Sequence, residues 1–205
     1  MPYRLPYRLP KLRVPFSWGS TEEVVSIHDR LCVERTLFLF QKIEAPLVNK
    51  IIRLLLFLDF ENETDIFFYI NCRGGDGLPT ISLYDTIEFL RSDVCTMAIG
   101  LAASGGSLIL SGGTITKRIA FPRARIMIRQ PVTPFFRGSV KEIQLEAEEM
   151  FQLRKTVAEL YSQKTGQPID VVQNDLERET FMSAKEAKDY GIIDTIVKEV
   201  EKNDI

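Results

Sequence analysis

The fold is decided by "FFYINCRGGDGLPTISLYDTIEFLRSDVCTMAIGLAASGGSLILSGG", residues 67–113. It is entered through "DIFFYIN" (65–71), a short apolar and aromatic run ended by the glycine-rich "CRGGDG". An apolar run of that length bounded by turn residues reads as a buried strand. Within 78–91, Ile81, Tyr84, Ile87 and Leu90 recur at helical spacing. "VCTMAIG" (94–100) reads as a second buried strand, and "AASGGSLILSGG" starts with small residues and turns apolar, which suits a strand-to-helix turn. Strands alternating with helices imply α/β units joined by crossover helices.

Outward from this stretch the same alternation continues. "ARIMI" (124–128) reads as a third short strand. Residues 46–60 read as a buried helix containing "IIRLLLFLDF", the most apolar segment. That segment is half a bilayer span in length and carries Arg53 and Asp59, so it belongs to a core and not to a membrane. Residues 138–165 form the longest periodic segment, with Val140, Ile143, Ala147, Met150 and Val157 along one face and Gly166 and Pro168 as its stop. Ser183 and Glu186 have the spacing of a capping box that starts a short helix, Gly191 sits where that helix would end, and "IIDTIVKEV" reads as a last strand. No linker divides the chain, so 21–205, including the 138–165 helix, reads as one domain. It follows a basic, proline-rich segment at 1–20 in which "PYRL" occurs twice. The prolines there preclude a continuous helix and favour an extended segment.

A chain of 205 residues, 45% hydrophobic and 26% charged, is long enough to bury a core and ordinary for a soluble protein. Its net charge of −2 argues against nucleic acid as a partner. Cys32, Cys72 and Cys95 are an odd number without a CxxC, which fits a reducing compartment better than a disulfide framework. With a single histidine and scattered cysteines, a Cys/His zinc site is not expected. The N-terminus lacks the apolar region of a signal peptide.

Two places invite chemistry. Ser104 lies between two alanines and two glycines, which lets another backbone approach closely. A serine at a helix start is either flanked by N–H groups free to stabilise an oxyanion or is a capping residue, with Ser107 as small packing. Gly74–Gly75 is either an anion-binding turn or a tight turn.

In this order, the 67–113 stretch, "KRIAFPRARIMIRQP" (117–131) and "ERETFMSAKEAKDYGIID" (177–194) closely resemble the Clp protease proteolytic subunit family. The resemblance covers roughly 34–197, and the opening "LPKLRVPFSWGSTEE" resembles the start of plastid-encoded members. It implies an α/β domain of the crotonase-like superfold with 138–165 as a projecting helix that joins ring to ring. It further implies a barrel of two stacked seven-membered rings, homomeric or mixed, fed unfolded proteins by an AAA+ Clp unfoldase. That partner uses the ATP, and no cofactor or metal is implied in this chain. The location implied is the plastid stroma, with the bacterial cytoplasm as the alternative. The nucleophile of the family falls on Ser104, and its oxyanion N–H groups fall on Gly75 and Gly105.

The departures from the family concern the same site. Its general base, a histidine before Gln-Pro, is here Arg129, and its orienting aspartate is Glu179. The proline before the two glycines is Arg73, and the methionine after the serine is Gly105. Arginine stays charged and has no acceptor lone pair, so it cannot take a proton from a serine. Losing a triad's base costs on the order of 10⁶ in kcat. Replacement bases are His28, which the resemblance places far from Ser104, and Lys117, as a Ser–Lys pair. Three functions follow: a non-catalytic or severely weakened Clp core subunit, an active serine peptidase with another base, or an acyl-CoA-handling relative. The first is the reading adopted. It carries the expectation that Arg129 and Glu179 form an ion pair near Ser104, with bidentate geometry open to it.

Overall fold

The computed structural model describes residues 11–13, 24–132 and 137–198. The N-terminal part runs β1 (Lys11–Arg13), β2 (Val24–Ser26), α1 (Ile27–Val33), β3 (Thr36–Leu39) and α2 (Ala45–Glu61). The centre runs β4 (Ile66–Cys72), α3 (Gly77–Phe89), β5 (Val94–Ala103), α4 (Gly105–Ser111), β6 (Arg118–Ala120) and β7 (Arg125–Ile128). The rest is α5 (Val140–Thr165), α6 (Ile169–Leu176), β8 (Thr180–Ser183), α7 (Ala184–Tyr190) and β9 (Thr195–Ile196). The PYRL repeat lies outside the described residues. Of the 1–20 segment, Lys11–Arg13 is described, and it pairs antiparallel with β2.

The main sheet has the order β3-β4-β5-β6-β9, all parallel. This is the α/β architecture expected from the alternation of strands and helices. β5 is long enough to serve two neighbours. Thr96–Ala98 pair with β6, and Leu101–Ala103 pair with β7. Between the two segments sits Gly100 at φ +77, a conformation that glycine adopts without a Cβ penalty. The β4–β5 register shifts at the same level, from Ile70↔Ala98 to Cys72↔Ala102. The Asn71 Oδ1 there accepts the Leu101 N–H at 3.2 Å. β7 in turn carries β8 antiparallel, with Ile128 opposite Thr180.

Alternation along β4 buries Ile66, Phe68, Ile70 and Cys72. These pack with Val48, Ile51, Leu55 and Leu58 of α2, with Leu83, Tyr84 and Ile87 of α3, and with Leu108, Ile109 and Leu110 of α4. The buried helix expected at 46–60 is buried on one face only, since Phe57 is 63% and Phe60 86% exposed. Of the apolar stripe read along α5, Val157 alone enters the core, beside Ala158 and Tyr161, while Val140 and Ile143 are exposed, as are Leu145 and Phe151, which are not part of that stripe. The capping box at Ser183 and Glu186 is formed in both directions, at 3.3 and 2.7 Å, and Gly191 closes α7 at φ +98. A second box, Ser139 with Glu142, starts α5 and has the same Ser-x-x-Glu signature. The short helices α1 and α6 were not anticipated, because seven or eight residues give too few turns for a periodic signal.

Two buried arginines tie loops to the sheet. Arg35, at φ +57, sends its guanidinium to the carbonyls of Leu58 (2.7 Å), Asn62 (3.2 Å), Thr64 (2.7 Å) and Asp65 (3.2 Å) and to Ser92 Oγ (3.2 Å). It thereby satisfies the C-terminal end of α2, where carbonyls lack helical partners. Arg118 on β6 bonds Asp194 through Nη2 (2.7 Å) and Nε (3.0 Å), and Lys164 O through Nη1 (3.0 Å). Burial pushes the Asp194 carboxyl up, but hydrogen bonds from the Arg118 side chain and backbone outweigh it and leave the carboxyl below its usual range.

Arg35→Ala is expected to lower unfolding free energy by about 3 kcal/mol, because one buried and three partly buried carbonyls lose a charged donor at once. Arg35→Lys should recover only part of that, since an ammonium cannot fork to the same carbonyls. Urea titration of the three proteins measures both effects. Asp194 supplies a pH signature. A depressed folded pKa contributes stability above the unfolded value of about 4 and loses it as pH falls through the folded value. Asp194→Asn should therefore be less stable than the parent near neutrality, with the gap closing in acid.

Candidate active site

Ser104 follows the last residue of β5 and precedes α4, with φ +53 and ψ −119. A non-glycine residue held there stores strain on the order of 1–3 kcal/mol, so the surroundings must over-determine it. They do so through its backbone. The Ser104 N–H donates to Met127 O at 2.8 Å, the next bond after the β5–β7 register Ala103↔Met127. Its carbonyl accepts the N–H groups of Ser107 (3.0 Å) and Leu108 (3.1 Å). Ser107 Oγ lies 2.7 Å from Ser104 O, 2.6 Å from Met127 O and 2.8 Å from Tyr161 Oη. With one proton, Ser107 donates to one carbonyl at a time and accepts from Tyr161. Burial pushes the Tyr161 phenol up, which keeps it a donor. Ser107 is thus a bonded part of the turn and more than small packing. The side chain of Ser104 makes no capping hydrogen bond, which removes the reading of it as a capping serine.

Gly74 and Gly75 approach this turn closely. Gly74 has φ +90, and a methyl group on it would lie 2.9 Å from both Ala103 O and Ser104 Cβ. Gly75 forms a parallel bridge with Ile43, made by Ile43 N–H to Gly74 O (3.0 Å) and Asp76 N–H to Ile43 O (2.9 Å). In such a bridge the flanking residues make the bonds, so the N–H of Gly75 turns away from Ile43. Gly105 is the first helical residue of α4, where an N–H has no partner inside the helix. Gly75, Ser104, Gly105 and Arg129 line one cleft, so the structure brings together four of the five residues singled out in the sequence.

Thr80 also lines the cleft and was missed. A methyl group at Gly105 would come 2.6 Å from its Oγ1, which is fixed by donation to Asp76 O at 2.7 Å. Thr80 therefore occupies the space that a side chain at 105 would need. No local pattern in the sequence marks such a complementarity.

Arg129 Nη1 and Glu179 Oε1 are 2.7 Å apart. The expected pair forms, with one nitrogen on one oxygen and without the bidentate geometry left open to it. Its cause is register. β7 and β8 place Ile128 opposite Thr180, and one step further along the same antiparallel pairing Arg129 faces Glu179. Their side chains are 31% and 52% exposed, so the pair contributes at most about 1 kcal/mol. Arg129 Nε is buried without a hydrogen-bond partner among the described residues.

The two replacement bases are engaged elsewhere. Hydrogen bonds to Asp65 (2.7 Å) and Asp93 (2.8 Å) push the Lys117 ammonium up, so it keeps its proton. His28 lies on α1, 3.6 Å from Cys32 Sγ and 3.8 Å from Asp29, and does not line the cleft. Among the described residues none hydrogen-bonds the Ser104 hydroxyl.

A family model for Clp protease matches residues 19–200. The chain is 48% identical over 198 residues to an ATP-dependent Clp protease proteolytic subunit of Panax ginseng, covering 95% of this chain and 100% of the relative. A subunit of the same description from Nicotiana tabacum is 46% identical over 198 residues, with the same coverage. One from Chaetosphaeridium globosum is 44% identical over 201 residues, covering 98% of this chain and 96% of the relative. With a match along nearly the whole chain and relatives covered end to end, this mixed α/β chain belongs to the Clp protease family.

Proposed function

We propose that the chain is a subunit of an ATP-dependent Clp protease core and that its own site hydrolyses peptides severely weakly or not at all. The observation that carries this reading is the Arg129–Glu179 ion pair, which puts a permanent cation where a proton acceptor is needed beside Ser104. The rest of the cleft keeps the shape of a peptidase site. Ser104 sits on a strained turn with its hydroxyl uncapped, and the N–H groups of Gly75 and Gly105 are available as oxyanion donors. In this reading Ser104 is the nucleophile position, and Arg129 and Glu179 stand in for the base and its orienter. The subunit serves by its shape, in a homomeric or mixed double ring that receives unfolded proteins from an AAA+ unfoldase. ATP is consumed by that partner, and the chain itself needs no cofactor. The plant and algal relatives favour the plastid stroma over a bacterial cytoplasm. The exposed apolar residues of α5 favour assembly, since such a stripe is a liability on a monomer.

The deciding experiment uses a fluorophosphonate probe and a fluorogenic peptide on rings assembled from this chain alone. The parent is expected to resist labelling at Ser104 and to cleave near background. Arg129→His with Glu179→Asp should raise cleavage by more than the two single changes combined, because base and orienter act as a unit. Ready labelling and brisk cleavage by the parent would establish an active site with another base. Size measurement in solution tests assembly separately: a ring-sized species is expected, and a monodisperse 23.4 kDa monomer would contradict it.

A further inference from the structure

Beside the Ser104 cleft lies a concavity lined by Lys42, Arg73, Gly75, Asp76 and Arg129. Three of these side chains are cationic and one is a carboxylate. Lys42 is shared between Glu44 at 3.4 Å and Asp76 at 3.7 Å, and Arg129 holds Glu179 through a single contact. Arg73 is exposed and forms no ion pair among the described residues. Arg129 also lines the Ser104 cleft, so it is the wall common to both spaces. Its Nε is a buried donor without an acceptor among the described residues. Gly75 belongs to both as well, with an N–H turned away from its bridge partner.

We propose that this concavity binds a carboxylate, so that the site holds a peptide by a free carboxylate group instead of cleaving it. The chemistry follows from the exchange of groups. A histidine acting as base is neutral when substrate binds, and the surrounding donors then meet negative charge only as the reaction develops it. A guanidinium is charged throughout, and with a backbone N–H beside it the same space favours an anion already present in the ligand. Carboxylates are the anions a peptide carries, and guanidinium–carboxylate hydrogen bonds are charge-assisted and directional. The carboxylate has two sources, the C-terminus of a peptide cut elsewhere or an Asp or Glu side chain. The proposal rests on the reading that the chain does not hydrolyse what it binds.

The test uses the full-length chain in its assembled state and three hexapeptides of alanine and leucine, each labelled at its N-terminus with an uncharged BODIPY dye. One ends in a free carboxylate, one is amidated, and one is amidated with an internal glutamate. Anisotropy is expected to show the free acid, the glutamate peptide or both binding about fivefold tighter than the neutral amide, the gain of one partly exposed ion pair. Which of the two gains identifies the source. The preference should weaken with added salt and disappear in Arg73→Gln, an exposed position that leaves the fold intact, and in the paired change Arg129→Gln with Glu179→Gln. Equal binding of all three peptides, or a preference that survives both variants, would overturn the proposal. Mass spectrometry of the recovered peptides runs alongside. Cleavage would overturn the non-hydrolytic reading, and with it the holding role, independently of the affinities.

Discussion

β5 bends at Gly100, where φ is +77 and the Asn71 side chain takes over a backbone bond that the ladder has dropped. Before Gly100 the strand pairs with β6, and after it with β7, which carries β8, while β4 stays its neighbour on the other side throughout. The site is assembled from what this second segment brings together. Its end delivers Ser104, its neighbour β7 ends just before Arg129, and the strand beyond that begins just after Glu179. A straight β5 would keep pairing with β6 and would leave β7 and β8 without an edge on which to form. A Cβ at Gly100 would also lie 3.1 Å from Asn71 Oδ1, so the Asn71 side chain would have to give way.

The turn at Ser104 shows how a strained conformation is kept. Its backbone is bonded on both sides, by Met127 from β7 and by Ser107 and Leu108 from α4. Ser107 and Tyr161 add a buried hydroxyl relay that ties the turn to the inner end of α5. None of these bonds involves the Ser104 side chain. The turn can therefore keep its shape whatever stands at position 129, since its stability does not depend on a catalytic hydrogen bond.

The ion pair between Arg129 and Glu179 matters chemically more than energetically. Both groups are partly in solvent, where such pairs contribute little to stability. What the pair does is to place a group that cannot accept a proton in the wall of the Ser104 cleft, and to fix the sign of the charge beside Gly75 and Arg73. Thr80 fills the space beside Gly105 in the same cleft, so the wall there is set by volume and not by charge.

The α/β class, the order of the central elements and the candidates Ser104, Gly75, Gly105, Arg129 and Glu179 were legible in the sequence. Strand and helix periods, glycine punctuation and capping signatures are local, and the family resemblance is carried by contiguous motifs. The helices α1 and α6 escaped because they are short and show no capping box, and the exposed face of α2 was read as buried because an apolar residue does not announce what covers it. That Arg129 and Glu179 oppose each other followed from reading two distant departures as one change, but their contact through a single nitrogen and oxygen is a product of strand register and side-chain placement. Thr80 against Gly105, the relay through Tyr161 and the cationic concavity around Arg73 came from tertiary structure alone. Each depends on groups far apart in the chain meeting within a few ångströms, and no local pattern encodes such a meeting.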